Sequence, residues 1–454
     1  VNNKIVTYTF HLISETALRI GDGQDQKGIV KNAKNEPIIL GTTIGGIIRS
    51  FLEKTTAEIK TIHEFMGGES EEKEKREFIK SSVYISDAKI LIEYKYEVKE
   101  GTKISSEYGS AEKNNKYSLE YLPLGTKVKF NIEKYITDIE DEKIFNKIIY
   151  TIAHGFENKN IRLGGHKNND FGRMKLECLE KKTCDLSTIE AIEDYIANKT
   201  IKSEYIKVET LDEDKKIDTY IVKDKFNKIT FEMNGKFDYG VYQNYKLDNG
   251  VTGIKNNSIP ASSIKGILRS EVEKMIRTIR ESMNKAYIQN KIEQIFGGNN
   301  FLGKICCTDV SISDQDNKNI SQVLHIDKEF SKIEEDPSYV KIDRFTGGTF
   351  NQALLKQREN RGIAKIQISM QKEYVVKNDL GEEEIVDYTN YIFPVFYTLD
   401  RIKKGEVPLG GRTSIGLGTF TANEIKVSMG DHEDLDIKKD LEDYFEKFVR
   451  WCKK

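Results

Sequence analysis

Two glycine-rich stretches have the clearest capacity for chemistry. Leu163-Gly164-Gly165-His166 runs on to Phe171-Gly172-Arg173, and Leu409-Gly410-Gly411-Arg412 runs on to Gly416-Leu417-Gly418-Thr419. With no Cβ in the way, backbone N–H groups at such glycines can approach a phosphate closely. His166, Lys167 and Arg412 add charge. A tight turn ahead of a strand uses the same residues, so the pattern alone leaves both readings open. Thr42/Thr43 and Ser262/Ser263 stand just ahead of apolar helical periodicity, where hydroxyl residues serve as N-caps. The N–H groups and dipole at a helix start favour an anion. Lys265 and Arg269, one turn apart, and Arg49 are placed to contact such an anion, or to be solvated or ion-paired.

Other chemistries find less support. The five cysteines (Cys178, Cys184, Cys306, Cys307 and Cys452) form no C-x-x-C pair, which argues against a disulfide framework and against structural zinc. The six histidines are dispersed. Net charge is −2, so any nucleic-acid surface must be a local basic stripe offset elsewhere. Acid-rich stretches at 69–77, 209–214 and 431–436 supply that offset as solvated loops or faces. No apolar run approaches the roughly 20 residues of a membrane span. The first residues, Val1 to Tyr8, alternate like a strand without a signal-peptide core, so a cytoplasmic location is expected.

The elements that must position these residues occur twice. With 454 residues the chain exceeds one ordinary core. Pro37-Ile38-Ile39-Leu40-Gly41-Thr42-Thr43-Ile44-Gly45-Gly46-Ile47-Ile48-Arg49-Ser50 matches Asn257 to Ser270, with Gly46 over Gly266 and Arg49 over Arg269. Phe65-Met66-Gly67-Gly68 leading to Asp87 matches Phe296-Gly297-Gly298 leading to Asp309. The two glycine-rich stretches close the halves. Three anchors in one order, at offsets of 220, 222 and 246 residues, indicate duplication.

Each half reads as strand, loop, capped helix, strand, insertion, further strands, glycine loop and last strand. That order predicts an α+β protein of two tandem ferredoxin-like (RRM-like) domains with insertions. The first domain covers 1–180, a polar connector 181–226, the second domain 227–428, and an amphipathic C-terminal helix 429–454. That last helix packs on its own domain or on a neighbouring subunit. The second core helix is visible around Lys143 to Phe156 in the first half. In the second half only Phe396 to Lys404 is available for it.

The second half carries four elements in order: Ile259-Pro260-Ala261-Ser262-Ser263-Ile264-Lys265-Gly266-Ile267-Leu268-Arg269; Phe296-Gly297 and a strand ending at Asp309; Ile342-Asp343-Arg344-Phe345-Thr346-Gly347-Gly348; and Gly410, Gly411, Gly416 and Gly418. These resemble the RAMP superfamily, specifically the backbone subunits of type III CRISPR effectors. The first half is similar more loosely. It has Gly45 where the pattern has Lys265 and Asp170 where it has Gly416, and it keeps Leu122-Pro123-Leu124-Gly125-Thr126-Lys127-Val128-Lys129-Phe130. Two such domains on one chain resemble the fused backbone subunits of type III-D-like systems.

The resemblance implies RNA contacts at Thr42, Thr43, Arg49, Gly164, Gly165, His166, Ser262, Ser263, Lys265, Arg269, Gly410, Gly411, Arg412, Gly416 and Gly418. It implies CRISPR guide RNA, target RNA and other type III effector subunits as partners. In the family it resembles, an aspartate ahead of the first helix cleaves target RNA with a divalent metal, taken as magnesium. Asp248, three residues before Val251, stands at that place and would be the metal ligand; Asp25 stands one residue early in the first half. RNA carries its own nucleophile, the 2′-hydroxyl, so a carboxylate that holds a metal or takes a proton suffices. Asp-Asn-Gly and Gly-Asp-Gly are also ordinary turns. Asp343 and Arg344 are read as an ion pair or an RNA contact. Insertions at 94–116 and 373–391 are read as hairpin thumbs wedged between bases. Two alternatives stay open: a scaffold without catalysis, and a guide-precursor endoribonuclease relying on His166.

Overall fold

The computed structural model describes residues 3–21, 28–69, 78–91, 96–105, 111–197, 203–207, 218–223, 228–243, 245–247, 251–280, 284–298, 301–313, 338–342, 345–377, 383–430, 433–434 and 436–453. The chain divides into two units. One comprises Val1–Lys103 with Glu112–Lys225; the other comprises Ile104–Ala111 with Phe226–Lys454.

The first unit runs β1 (Lys4–Ser14), α1 (Gly41–Leu52), α2 (Ile59–Met66), β2 (Val83–Ile85), β3 (Ala88–Leu91), β4 (Lys127–Ile136), α3 (Ile139–Glu157), β5 (Met174–Asp185), α4 (Ile189–Ile196) and β6 (Ser203–Lys207). Alternation in β1 buries Val6, Tyr8, Phe10 and Leu12. Phe10 lies opposite Phe130 of β4, with the rings stacked at 4.9 Å. All pairings are antiparallel, in the order β6, β5, β1, β4, β3, with β2 also on β4. Counting β2 and β3 as one strand, the core order is 4-1-3-2, the ferredoxin-like arrangement. Helix α1 buries Ile44, Ile48, Phe51 and Leu52, and α3 buries Phe145, Ile148, Ile149, Ile152 and Phe156, both at helical spacing. Asp138 caps α3 by accepting from the Asp141 amide at 2.8 Å.

The second unit repeats the plan with β7 (Lys228–Val241), α5 (Ala261–Ile279), α6 (Lys285–Phe296), β8 (Ile305–Cys307), β9 (Val310–Ser313), β10 (Asn360–Gln371), α7 (Ile392–Lys403), β11 (Phe420–Ala422), β12 (Lys426–Met429) and α8 (Leu441–Lys453). Here β10 pairs with β7 on one side and with β8 and β9 on the other. β7 in turn pairs with β11 and β12. The fold is therefore α+β, with two tandem ferredoxin-like cores.

Three details differ from, or complete, the reading of the sequence. Helix α7 begins at Ile392, four residues before the expected start. Pro394 falls in its first turn, where no intrahelical N–H is needed, so it does not break the helix. Helix α8 packs on its own unit: Phe448 and Cys452 are buried, and Phe445 meets Phe393 at 4.9 Å. The carbonyls at its end accept from Lys291 (2.9 Å), Tyr287 (3.1 Å) and Arg280 (3.3 Å).

The third detail concerns the first helix of each unit. Thr42/Thr43 and Ser262/Ser263 are not the N-caps. Both helices start earlier, with Leu40 and Pro260, each two residues before the first hydroxyl, at the cap positions and no side-chain cap from either. Instead, Asp87 accepts from the Gly41 amide at 2.7 Å and Asp309 from the Ala261 amide at 2.7 Å. A carboxylate arriving from the neighbouring strand end satisfies the first free N–H. We expect Asp87→Ala and Asp309→Ala each to cost about 1 kcal/mol in urea denaturation, with Asn in either place recovering most of it.

Candidate functional site

In the second unit the segments singled out by sequence meet just beyond the end of β7. The Gly411 amide donates to the Tyr242 carbonyl (2.6 Å) and the Gly418 amide to the Gly240 carbonyl (2.8 Å). A Cβ on Gly410 would stand 2.6 Å from the Tyr242 carbonyl oxygen, and one on Gly418 only 1.9 Å from that of Leu409. These glycines are thus demanded by close backbone approach. The Gly411 and Gly418 amides are thereby spent on backbone carbonyls. Arg412 holds φ 55°, followed by Gly416 at φ 91°. Its guanidinium lies 5.3 Å from the centre of the Tyr242 ring.

Tyr242 and Gln243 join this loop to the other two segments. Gln243 Nε2 donates to Ser263 Oγ at 3.1 Å, in the first turn of α5. Tyr242 OH meets Thr252 Oγ1 at 3.0 Å. Thr252–Gly253 pairs with Tyr245–Lys246, and the Leu247 amide donates to the Val251 carbonyl at 2.8 Å. These pairs flank Asp248 in sequence. Asp248 itself lies outside the described residues, as do Asp25, Asp343 and Arg344. Asp25 is flanked by the bridge between Gly21 and Ile29. Among the described residues no three His, Cys, Asp or Glu side chains converge as a metal site.

Helix α5 places Lys265 and Arg269 one turn apart, both half-buried. Burial pushes the Lys265 ammonium below the usual lysine value, and Arg269 acts in the same sense. Among the described residues neither makes an ion pair with a carboxylate. Ser262 is half-buried beside them in the first turn.

The first unit has the same frame with its charges committed. The Gly165 amide donates to the Arg19 carbonyl (2.8 Å) and the Gly172 amide to that of Ala17 (2.8 Å). His166 (φ 55°) occupies the place of Arg412, and Asp170 (φ 65°) that of Gly416. Asp170 is buried, with Arg173 at 2.8 Å and Arg162 at 3.3 Å. That paired carboxylate holds a left-handed position where the other unit has glycine. Lys167 reaches solvent, yet crowding by the surrounding chain, with Arg162 and Lys54 nearby, pulls its ammonium down. Arg49 donates to the carbonyls of Met66 and Gly67, each at 2.8 Å, closing the end of α2. Thr42 and Thr43 are exposed, and Gly45 stands where the other unit has Lys265.

The expected hairpins are present as Glu97–Ile104 with Ala111–Tyr121, and as Glu373–Lys377 with Glu383–Asp387. A third, Ser338–Ile342 with Thr349–Lys356, was not foreseen. Its turn holds Phe345, fully exposed, within a motif that sequence had singled out without assigning it a shape. Reasoning from sequence also missed Tyr242 and Gln243, which belong to no motif.

A model of the RAMP superfamily matches residues 11–175 and 252–421, one stretch in each unit. The chain belongs to the RAMP superfamily. As a RAMP protein with two tandem domains it is a CRISPR-associated RNA-binding chain. No curated protein matches it. No helix among the described residues is long and apolar enough to cross a membrane.

A phosphate contact by Lys265 would require its protonated form, and its lowered pKa means the charge is lost at lower pH than for an ordinary lysine at about 10.4. We therefore expect RNA affinity of this RAMP protein to fall as pH rises from 7 towards 10. Lys265→Arg, which stays charged throughout, should flatten that decline in filter-binding assays.

Proposed function

We propose that the chain is a fused backbone subunit of a type III CRISPR effector. It holds guide RNA chiefly through the second unit and cuts the paired target RNA at Asp248, acting in the cytoplasm with other effector subunits. One observation carries the reading. Lys265 and Arg269, two like charges half-buried side by side with no carboxylate partner among the described residues, sit on the helix whose first turn is tied to the Arg412 loop and to the strand pair that flanks Asp248 in sequence. Like charges held together favour an anion between them, and RNA phosphate is the anion this family binds.

Cleavage in this reading is attack by the ribose 2′-oxygen on the adjacent phosphorus. The 5′-oxygen leaves and takes a proton from water, giving a 2′,3′-cyclic phosphate and a 5′-hydroxyl. Asp248 would take the 2′-hydroxyl proton or hold a divalent metal, magnesium by resemblance, whose charge would stabilise the phosphorane. Asp25 would act likewise in the first unit. Substrate alignment supplies the rest, since in-line geometry is imposed by the guide–target duplex.

In the assembled complex, Asp248→Ala should abolish cleavage at one set of positions while leaving guide binding unchanged. Unaltered cleavage in Asp248→Ala and in Asp25→Ala would leave a scaffold. Precursor processing by the isolated chain, lost in His166→Ala, would favour the endoribonuclease alternative. Arg269→Ala should weaken RNA binding on the order of tenfold and reduce the salt slope by about one. Arg49→Ala should instead lower the stability of the first unit, with little effect on RNA affinity.

A further inference from the structure

The first unit's sheet has a second face, turned away from the core that it forms with α1 and α3. Lysines stand in register on that outer face. Lys89 of β3 lies directly opposite Lys129 of β4, and Lys129 opposite His11 of β1. Two residues along, Lys127 of β4 lies opposite Ile13 of β1, and Ile13 opposite Lys175 of β5. Their chain neighbours Ala88, Leu12, Val128 and Leu176 are buried in the core, so these residues share the outer face. Lys89, Lys127 and Lys175 are exposed and Lys129 is half-buried. Helix α4 lies over the other end of the face, where burial, with Glu133 and Cys184 nearby, pushes the Tyr195 phenol up.

Two cations directly opposite each other on one sheet face repel. Among the described residues none of Lys89, Lys129 and Lys175 makes an ion pair. The nearby carboxylates are engaged elsewhere: Glu177 stands 3.6 Å from Lys127, and Glu180 stands 3.3 Å from His11 and 3.3 Å from Lys182. The second unit's sheet does the reverse, with Lys365 of β10 held by Glu232 of β7 at 2.7 Å. From Lys89 to Lys175 the run crosses four strands, about 14 Å in all. A strip of that length fits a chain of phosphates better than one small anion. Lysine meets phosphate as a point charge, whereas an acidic protein segment would be gripped at two points by arginine, which is absent from these positions. Tyr84 of β2, opposite Glu133 on the same face and 66% exposed, offers a ring on which a base can stack.

We propose that Lys89, Lys127, Lys129 and Lys175, with Tyr84, form a second RNA-binding surface, which holds a single-stranded segment by its phosphates across the outer face of the first sheet. The surface rests on the reading of the chain as an RNA-binding subunit. It is separate from Asp248 and from the Lys265 and Arg269 pair.

The test measures binding of fluorescein-labelled oligouridylate to the full chain by anisotropy, over a range of salt. Lys89→Ala combined with Lys129→Ala should weaken binding roughly tenfold and lower the slope of log K against log salt by about 1.4, or about 0.7 for each phosphate contact of a single strand. That loss should add to the loss in Arg269→Ala, because the two places are independent. Lys89→Arg with Lys129→Arg should keep the binding, and Lys365→Ala should leave it unchanged. Far-ultraviolet circular dichroism checks the fold; if the double alanine variant is unstable, Lys175→Ala decides, with an expected fall in slope of about 0.7. A double variant that binds with the parent's affinity and slope, while Arg269→Ala weakens binding, would overturn this surface and leave the RNA reading standing. No RNA binding by the parent would overturn both. Poly-L-glutamate provides the second arm: binding as tight as that of RNA, and lost in the same double variant, would assign the strip to an acidic protein segment and overturn the proposal.

Discussion

In each unit, one backbone hydrogen bond holds the site together. The second glycine of the glycine-rich loop donates its amide to a carbonyl just beyond the first strand, Gly165 to Arg19 and Gly411 to Tyr242. The loop can come that close because the residue before it is glycine, in a left-handed conformation that leaves no room for a Cβ. This contact sets where the loop's charged residue stands, and in the second unit it sets Tyr242 as well. From Tyr242 the constraint passes to Arg412 through the ring and to the hairpin through Thr252. Through Gln243 it reaches the start of α5. Remove the close approach and the three segments no longer share a reference point.

That dependence explains why two units with one frame differ in what they can bind. In the first, the cations serve the protein: Arg162 and Arg173 neutralise buried Asp170, and Arg49 closes a helix end. A buried carboxylate between two arginines is costly to disturb, so these groups are poor candidates for exchange onto a phosphate. The second unit has glycine at the position of Asp170 and lysine at the position of Gly45. It places Lys265 beside Arg269, where burial first and then the neighbouring charge hold the lysine below its usual value. An incoming anion would offset that burial.

Much of this was legible in the sequence, and the part that was not has a physical cause. Periodicity and the repeated glycines carried the fold and its duplication, because burial and left-handed turns restrict residue type directly. Helix starts were misplaced because a cap can arrive from outside the helix. Asp87 and Asp309 recur at matched positions, but only the fold brings them to Gly41 and Ala261. The start of α7 was obscured by Pro394, whose meaning depends on which turn it occupies. Arg49 and Arg269 are equivalent in sequence, and nothing local separates an arginine that caps carbonyls from one without a carboxylate partner. The catalytic candidates Asp25 and Asp248 fall outside the described residues. For them the structure contributes the strands and hydrogen bonds on either side.

The overall charge of −2 also takes on a meaning that composition could not supply. A surface meant to hold RNA backbone need not make the whole chain basic, because affinity depends on the few cations within reach of phosphates. Here most basic side chains with described partners lie in ion pairs, as Lys4, Lys134 and Lys181 do in the first unit and Lys274, Arg277 and Arg401 in the second. Those pairs cancel in the net charge and contribute little field. Among the described residues, Lys265 and Arg269 on α5 stay outside such pairs. A net charge near zero is therefore compatible with RNA binding by a few cations that are not spent on carboxylates.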